Sequence, residues 1–396
     1  MVVKSDSIWN NKQFLHLWLG NTIANLTLRT YSLVLPIYIY EKTKSSVYMS
    51  LMKAIEILPT ILFGMLIGVI IDRYSKKNIM IFSILTQLLV LINIMYFINN
   101  SVMIVYILGF IFYLCIYIFR NSYHVTLKFI VSNDHLRSAN AAISFMSIIV
   151  DIVGPSIAGM LIVYLGIKNS LLIPILGYLF LFINVLALKI PKAKSIKKSK
   201  SFKLDIKEGW QALVQNNRLW TITLIVMAFN FASSLIGGIL IFYLLNDLSI
   251  YKGSIGLILA VLALGGVIAS VFSGYIAKLF TQNEIFKYSI TLATIAPFIL
   301  FIFNSWYFLC IGIIIFEFAV AIFSINYLTL RQSSTPEHLL GRVTGTSSML
   351  MKVTVPIAYL ISGFLASNIE VKYIFLLVGL FLILVNLYIK ISVRIY

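Results

Sequence analysis

A chain of 396 residues that is 60% hydrophobic and only 11% charged, with a mean hydropathy of +0.98, lies outside the range of soluble globular domains. The formal net charge of +18 would fit nucleic-acid binding in a soluble chain. Here the bases fall mainly in loops between apolar stretches, so the charge reads as orientation in a membrane and no nucleic-acid partner is expected. Cys115 and Cys310 both lie inside apolar stretches, which excludes a disulfide framework, and no Cys/His grouping has metal-ligand spacing. No metal or other cofactor is expected.

A bilayer core needs about 20 apolar residues per helix. Twelve stretches have that length, at about 14–39, 46–71, 78–98, 102–130, 139–165, 169–189, 218–245, 252–278, 285–303, 305–331, 341–367 and 371–391. The expected fold is all-α and integral to the membrane. Met1 to Lys12 is polar and leads straight into a full-length span without the features of a cleaved leader, so the first helix is expected to stay. Bases at Lys4, Lys12, Arg73 to Lys77, Arg137, the central run, Lys278, Arg331, Arg342 and Arg394 share one side of an even-numbered topology, which predicts both termini in the cytoplasm.

In chain order, Arg29 stands near the middle of span one and Glu56 near the middle of span two. Between spans two and three comes Gly68-Val-Ile-Ile-Asp72-Arg73-Tyr-Ser-Lys76-Lys77. Its glycine admits a neighbouring helix, its acid can face a helix N-terminus, and its bases hold the turn in the cytoplasm. Span four carries Arg120, with His124 and Lys128 at i+4 and i+8 on the same face. Span five carries Asp151 one turn before Gly154-Pro155, with Gly159 following; the proline bends the helix and the glycines permit close packing.

Hydropathy collapses between Lys189 and Arg218, which divides the chain into 1–189, a basic linker at 190–217, and 218–396. The linker's second part mixes Ile206, Trp210, Leu213 and Val214 with charges, as an amphipathic helix at a membrane surface does. Spans seven and ten supply Asn230, Phe231, Tyr243, Phe316, Phe323, Asn326 and Tyr327, an aromatic and amide set suited to bulky amphipathic ligands or to core packing. Glu317 in span ten and Lys352 in span eleven complete the mid-span charges. Opposite signs allow Arg29 and Arg120 to serve Glu56 and Asp151, and Lys352 to serve Glu317.

The two halves echo one another. Asp134-His135-Leu136-Arg137 precedes the span with Pro155, and Pro336-Glu337-His338-Leu339-Leu340-Gly341-Arg342 precedes the span with Pro356. The hairpin has a worn counterpart at Gly274-Tyr-Ile-Ala-Lys278.

The Gly68 to Lys77 hairpin resembles the loop 2–3 signature of the major facilitator superfamily, with Ser75 where that pattern has glycine. Gly154, Pro155 and Gly159 resemble the pattern of its antiporters, with Val150 in place of an earlier glycine. Trp18-Leu-Gly20-Asn21, Glu41-Lys42-Thr43, Leu58-Pro59 through Gly64, Arg120, and Pro336 through Val343 are similar, in order, to the branch of drug and siderophore exporters that includes macrolide-efflux proteins. The resemblance implies two pseudo-symmetric six-helix bundles rocking about a central site. It also implies a cytoplasmic latch formed by Gly68, Asp72, Arg73, Lys76 and Lys77 with Gly341 and Arg342, and a role for Arg120 in proton transfer or substrate orientation.

A carboxylate that couples protons has to change protonation within the membrane, and Glu56, Asp151 and Glu317 are the mid-depth candidates. Substrate-cavity candidates are Arg29, Asn230, Tyr243, Phe316, Asn326 and Tyr327. Branch members often carry an acid where Leu28 stands, so their coupling route does not transfer to this chain residue for residue. The expected activity is export of a small amphipathic compound (a drug, macrolide-like antibiotic, siderophore or peptide) in exchange for protons. The setting is a bacterial cytoplasmic membrane, with the chain acting as a monomer and conferring antibiotic resistance where a drug is the cargo. No phosphate-binding loop and no grouping of nucleophile, base and oxyanion donors is found, so neither ATP use nor catalysis is expected. An uptake carrier or lipid flippase on the same fold, and a membrane receptor or immunity protein that binds without transporting, are the alternatives.

Overall fold

The computed structural model describes residues 7–98, 100–190 and 202–392. After a single 3₁₀ turn at Ile8–Asn10, the chain forms α1 (Lys12–Thr43), α2 (Ser46–Arg73), α3 (Lys76–Phe97), α4 (Val102–Ile130), α5 (Asn133–Ser170), α6 (Leu172–Ala187) and α7 (Phe202–Gln215). It continues as α8 (Asn217–Phe242), a π turn at Tyr243–Asp247, α9 (Lys252–Leu279), α10 (Gln282–Ile302), α11 (Trp306–Ser334), α12 (Glu337–Ala366) and α13 (Val371–Ser392). Among the described residues there is no strand.

Helices dominate because a spanning segment has to satisfy every backbone group within itself. Ten are long and apolar enough to cross a membrane, and α6 is a shorter apolar helix. Helix α1, 32 residues long, is interrupted by polar groups such as Asn21, Asn25 and Arg29. These twelve make an all-α membrane protein of the kind expected, and α7 is the amphipathic thirteenth. Prolines lie inside α1, α2, α5, α10 and α12. Gly166, with φ of 74°, breaks α5 near its end.

The chain forms two compact units. The first comprises Met1–Glu41, Ile55–Lys197 and Lys252–Ala260; the second comprises Lys42–Ala54, Lys198–Tyr251 and Val261–Tyr396. Within the first, α3 packs along α4 and α6; within the second, α10 packs along α11 and α13, and α8 along α12. At the start of α2, Ser46 and Ser50 donate to the carbonyls of Gly363 (2.8 Å) and Gly238 (3.1 Å), all within the second unit.

The internal repeat is visible in the packing. Helices α4 and α11 are both 29 residues long and both follow a serine N-cap. Phe112, Phe119 and Tyr123 occupy the same helix positions in α4 as Phe316, Phe323 and Tyr327 in α11, and all six are buried. Asn11 accepts from the Phe14 N–H at 3.1 Å and Asn216 from the Leu219 N–H at 3.0 Å, so α1 and α8 start with the same cap.

Candidate functional site

In the first unit, α1 and α5 bring together Arg29 and Asp151, which form an ion pair. The arginine side chain is 42% exposed and the aspartate 50%. Where water reaches it, a half-buried pair of this kind is worth no more than about 1 kcal/mol. It is therefore breakable, unlike a sealed core pair. One turn on, a Cβ at Gly154 would collide with the aliphatic stem of Arg29, so only glycine lets the arginine cross α5 at this height. On the next turn, Gly159 faces the first part of α9. A Cβ there would meet the Gly253 carbonyl oxygen at 2.7 Å, and one at Gly256 would collide with the Pro155 carbonyl. Gly154-Pro155-Gly159 is thus wedged between the ion pair and α9. At the start of α9 Lys252 pairs with Glu41, a contact the sequence did not signal.

Glu56 on α2 lies within electrostatic reach of Tyr31 on α1 and Tyr113 on α4. Both tyrosines are buried. Two buried hydroxyls thus stand near a carboxylate, a grouping that charge spacing alone does not reveal. Arg120, His124 and Lys128 form an exposed stripe along α4, to one side of the buried Phe112, Phe119 and Tyr123.

The second unit differs. Glu317 on α11 packs its Cβ against Gly265 of α9 and has no ion pair among the described residues. The partnership with Lys352 that the sequence allowed is not among the ion pairs of the described residues. Phe316 and Tyr327 are core residues, and the Tyr327 hydroxyl lies 3.1 Å from that of Thr223. Asn326 donates to the Gln282 carbonyl at 3.1 Å, tying α11 to α10, and Asn230 donates to the Met351 carbonyl at 3.0 Å, tying α8 to α12. Tyr243 donates to the Asn304 side chain at 2.8 Å, at the far end of α8 from the linker. Packing between helices accounts for every cavity candidate of this unit, Tyr243 included, whose ring lies edge-on to Phe375 of α13 at 5.3 Å. Arg331 was expected in a loop. It is buried in the last turn of α11, where it donates to Ser347 at 3.0 Å and lies 5.5 Å from the Tyr327 ring centroid.

Of the latch residues, the side chains of Gly68, Asp72, Arg73 and Gly341 lie outside the described residues. Lys77 donates to the carbonyls of Leu186 and Leu188, both at 2.7 Å, and so caps the C-terminal end of α6. Lys76 donates to the Tyr74 carbonyl at 3.3 Å. Arg342 pairs with Glu208 of α7. A Cβ at Gly209 would meet the Arg342 carbonyl oxygen at 2.8 Å, so the linker helix docks tightly on the start of α12. Leu213 of α7 is buried and Trp210 exposed.

The family model of the Major Facilitator Superfamily matches residues 17–243 and 223–394. Macrolide efflux protein A of Streptococcus pyogenes is 25% identical over 95% of this chain and 94% of its own length. The transporter YfmI of Bacillus subtilis is 24% identical over 96% of each chain. Among solved structures, a bacterial homologue of the iron transporter ferroportin in an inward-facing state superposes with a TM-score of 0.77 at 17% identity, covering 98% of this chain and all of that one. The POT family transporter PepTSo superposes with a TM-score of 0.77 at 12% identity, covering 97% and 98%.

Proposed function

We propose, from the premise that the chain belongs to the Major Facilitator Superfamily of membrane transporters, that it exports a bulky amphipathic compound of the macrolide class in exchange for protons. The direction and cargo draw support from the 25% identity to a macrolide efflux protein along nearly the whole length. The exporter sits in a bacterial cytoplasmic membrane as a monomer with both termini inside, following the one-sided distribution of bases. Its bundles are residues 1–189 and 218–396, joined by the linker at 190–217.

The observation that carries the coupling is the wedge in the first unit. Asp151 holds Arg29 by charge, Arg29 lies against Gly154, and Pro155 lies against Gly256 of α9. Protonating Asp151 removes the charge that holds Arg29. The guanidinium then needs another partner, and its stem no longer fixes the height at which α5 meets α9. Proton binding at one side chain thereby becomes a repacking of two helices, which is the differential contact that a two-state transporter requires.

The test is uptake of erythromycin into everted vesicles, driven by a pH gradient acid inside, the polarity that proton antiport requires of an everted membrane. Gradient-dependent accumulation that an uncoupler collapses is the expected result. Erythromycin that instead accumulates in intact cells because the chain is expressed would overturn export.

A further inference from the structure

The second unit carries a cavity that the transport reading does not use. It lies at the ends of α8, α10 and α12 and the start of α13, the opposite end of α8 from the linker, and has a volume of about 940 Å³. That is within the size range of small-molecule sites. Phe301 and Tyr373 stand on one wall with ring centroids 6.1 Å apart, and Tyr243 is held on another by its bond to Asn304.

The polar groups of the lining are biased toward acceptors. Asp247 takes one hydrogen bond, from Asn246 at 2.8 Å, and is exposed. Glu370 pairs with Lys372 at 2.6 Å, and that ammonium also lies 5.1 Å from the Tyr373 ring centroid. Asn368 spends its N–H donors on the Phe364 carbonyl and the Ser367 hydroxyl, at 2.7 and 3.0 Å, which turns its carbonyl oxygen outward. The lining therefore carries two carboxylates against one ammonium, and that ammonium is already engaged.

The backbone beneath Asp247 is special as well. Tyr243–Asp247 is a π turn closed by the Leu248 N–H on the Tyr243 carbonyl at 3.0 Å, and Ser249 follows with φ of 50°. Such turns and left-handed non-glycine residues concentrate where a side chain has to be aimed.

We propose that this cavity is a binding site for monocationic amphipathic amines, with Asp247 receiving the ammonium and Phe301 and Tyr373 receiving the apolar body. An anion finds no free base there. A divalent metal is poorly served, because no group of three or more His, Cys, Asp or Glu converges among the described residues. A protonated amine donates a charge-assisted hydrogen bond to the carboxylate and makes a cation–π contact with the rings. The basic-side-inside topology places the site on the outer face. It is distinct from the Asp151 pair, and it does not depend on the chain's exporting anything.

The test is equilibrium binding of radiolabelled propranolol to the purified full chain in lipid nanodiscs, with N-acetylpropranolol as a neutral control of similar shape. Saturable binding is expected, weakened about tenfold by Asp247→Asn and by replacing the amine with the amide, and weakened also by Tyr373→Ala. A membrane-impermeant derivative that keeps the secondary amine, propranolol tethered through its ring to a long polyethylene glycol, is expected to bind right-side-out vesicles and not everted ones. Absence of saturable binding, equal affinity for the neutral compound, unchanged affinity in either folded variant, or binding confined to everted vesicles each overturns the proposal. Where Asp247→Asn fails to fold, as read from its thermal melt, Tyr373→Ala and the neutral control decide.

Discussion

Helices α4 and α11 keep the same aromatic core at equivalent positions, yet they differ one residue after the first shared phenylalanine. Tyr113 follows Phe112 where Glu317 follows Phe316. The two halves therefore share their packing and divide their charges. In the first unit the acids have company: Asp151 holds Arg29, and Glu56 has two tyrosines within electrostatic reach. In the second, Glu317 stands against Gly265 with no ion pair among the described residues. Aromatic packing tolerates duplication because it needs only volume and shape. A charge in a membrane is costly without a specific partner, so the charges are not bound to be repeated with the packing. The coupling chemistry proposed here accordingly belongs to the first unit alone.

The largest effect that would break this contrast is steric. Gly256→Val drives a branched side chain into the Pro155 carbonyl, and crowding of that kind costs about 1–3 kcal/mol. Transport is expected to fall to background, with a lowered melting temperature in a thermal-shift assay; a variant with normal melting and normal transport would remove the wedge from the account. Next in size is Glu317→Gln. An amide is nearly isosteric with the acid, and Glu317 has no ion-pair partner among the described residues to orphan, so pH-gradient-driven uptake is expected to stay within about threefold of the parent, under 1 kcal/mol of effect. Loss of gradient dependence in that variant would move the coupling into the second unit. Smallest is the link between α7 and α12. A double-mutant cycle with Glu208→Gln and Arg342→Gln, read from thermal unfolding, is expected to give a coupling under about 1 kcal/mol because the pair is only partly buried. A larger value would mean that the linker helix is an integral part of the second unit's core.

Much of the architecture was legible in the sequence, because spanning helices are set by apolar length. The stretch read at 102–130 is α4, and the amphipathic pattern after Leu204 is α7 at Phe202–Gln215. Helix α5 runs Asn133–Ser170, beyond the 139–165 read from hydropathy, because its polar ends keep helical geometry outside the apolar window. Side-chain partnerships were harder to read. Opposite charges at mid-depth left Arg29 and Arg120 open to either Glu56 or Asp151, and it is Arg29 that pairs with Asp151, its stem lying against Gly154. The same reasoning allowed Glu317 with Lys352, which is not among the ion pairs of the described residues; rotation about a helix axis decides which neighbour an acid meets, and composition does not report it. Arg331 looked like a loop base since it follows the last apolar residues, but Ser347 and Ser348 on α12 receive it indoors. One signal was present and not used. The spacing Phe112, Phe119, Tyr123 recurs as Phe316, Phe323, Tyr327, and it aligns the halves more directly than the loop motifs do.

The central claim is that protonation of Asp151, through Arg29 and Gly154, couples proton movement to cargo. The measurement that meets it most directly compares two modes of erythromycin movement by the Asp151→Asn variant in proteoliposomes: exchange between equal pools, which needs no gradient, and accumulation driven by a pH gradient. The account predicts that exchange persists while gradient-driven accumulation falls to background. Accumulation retained alongside exchange would contradict it.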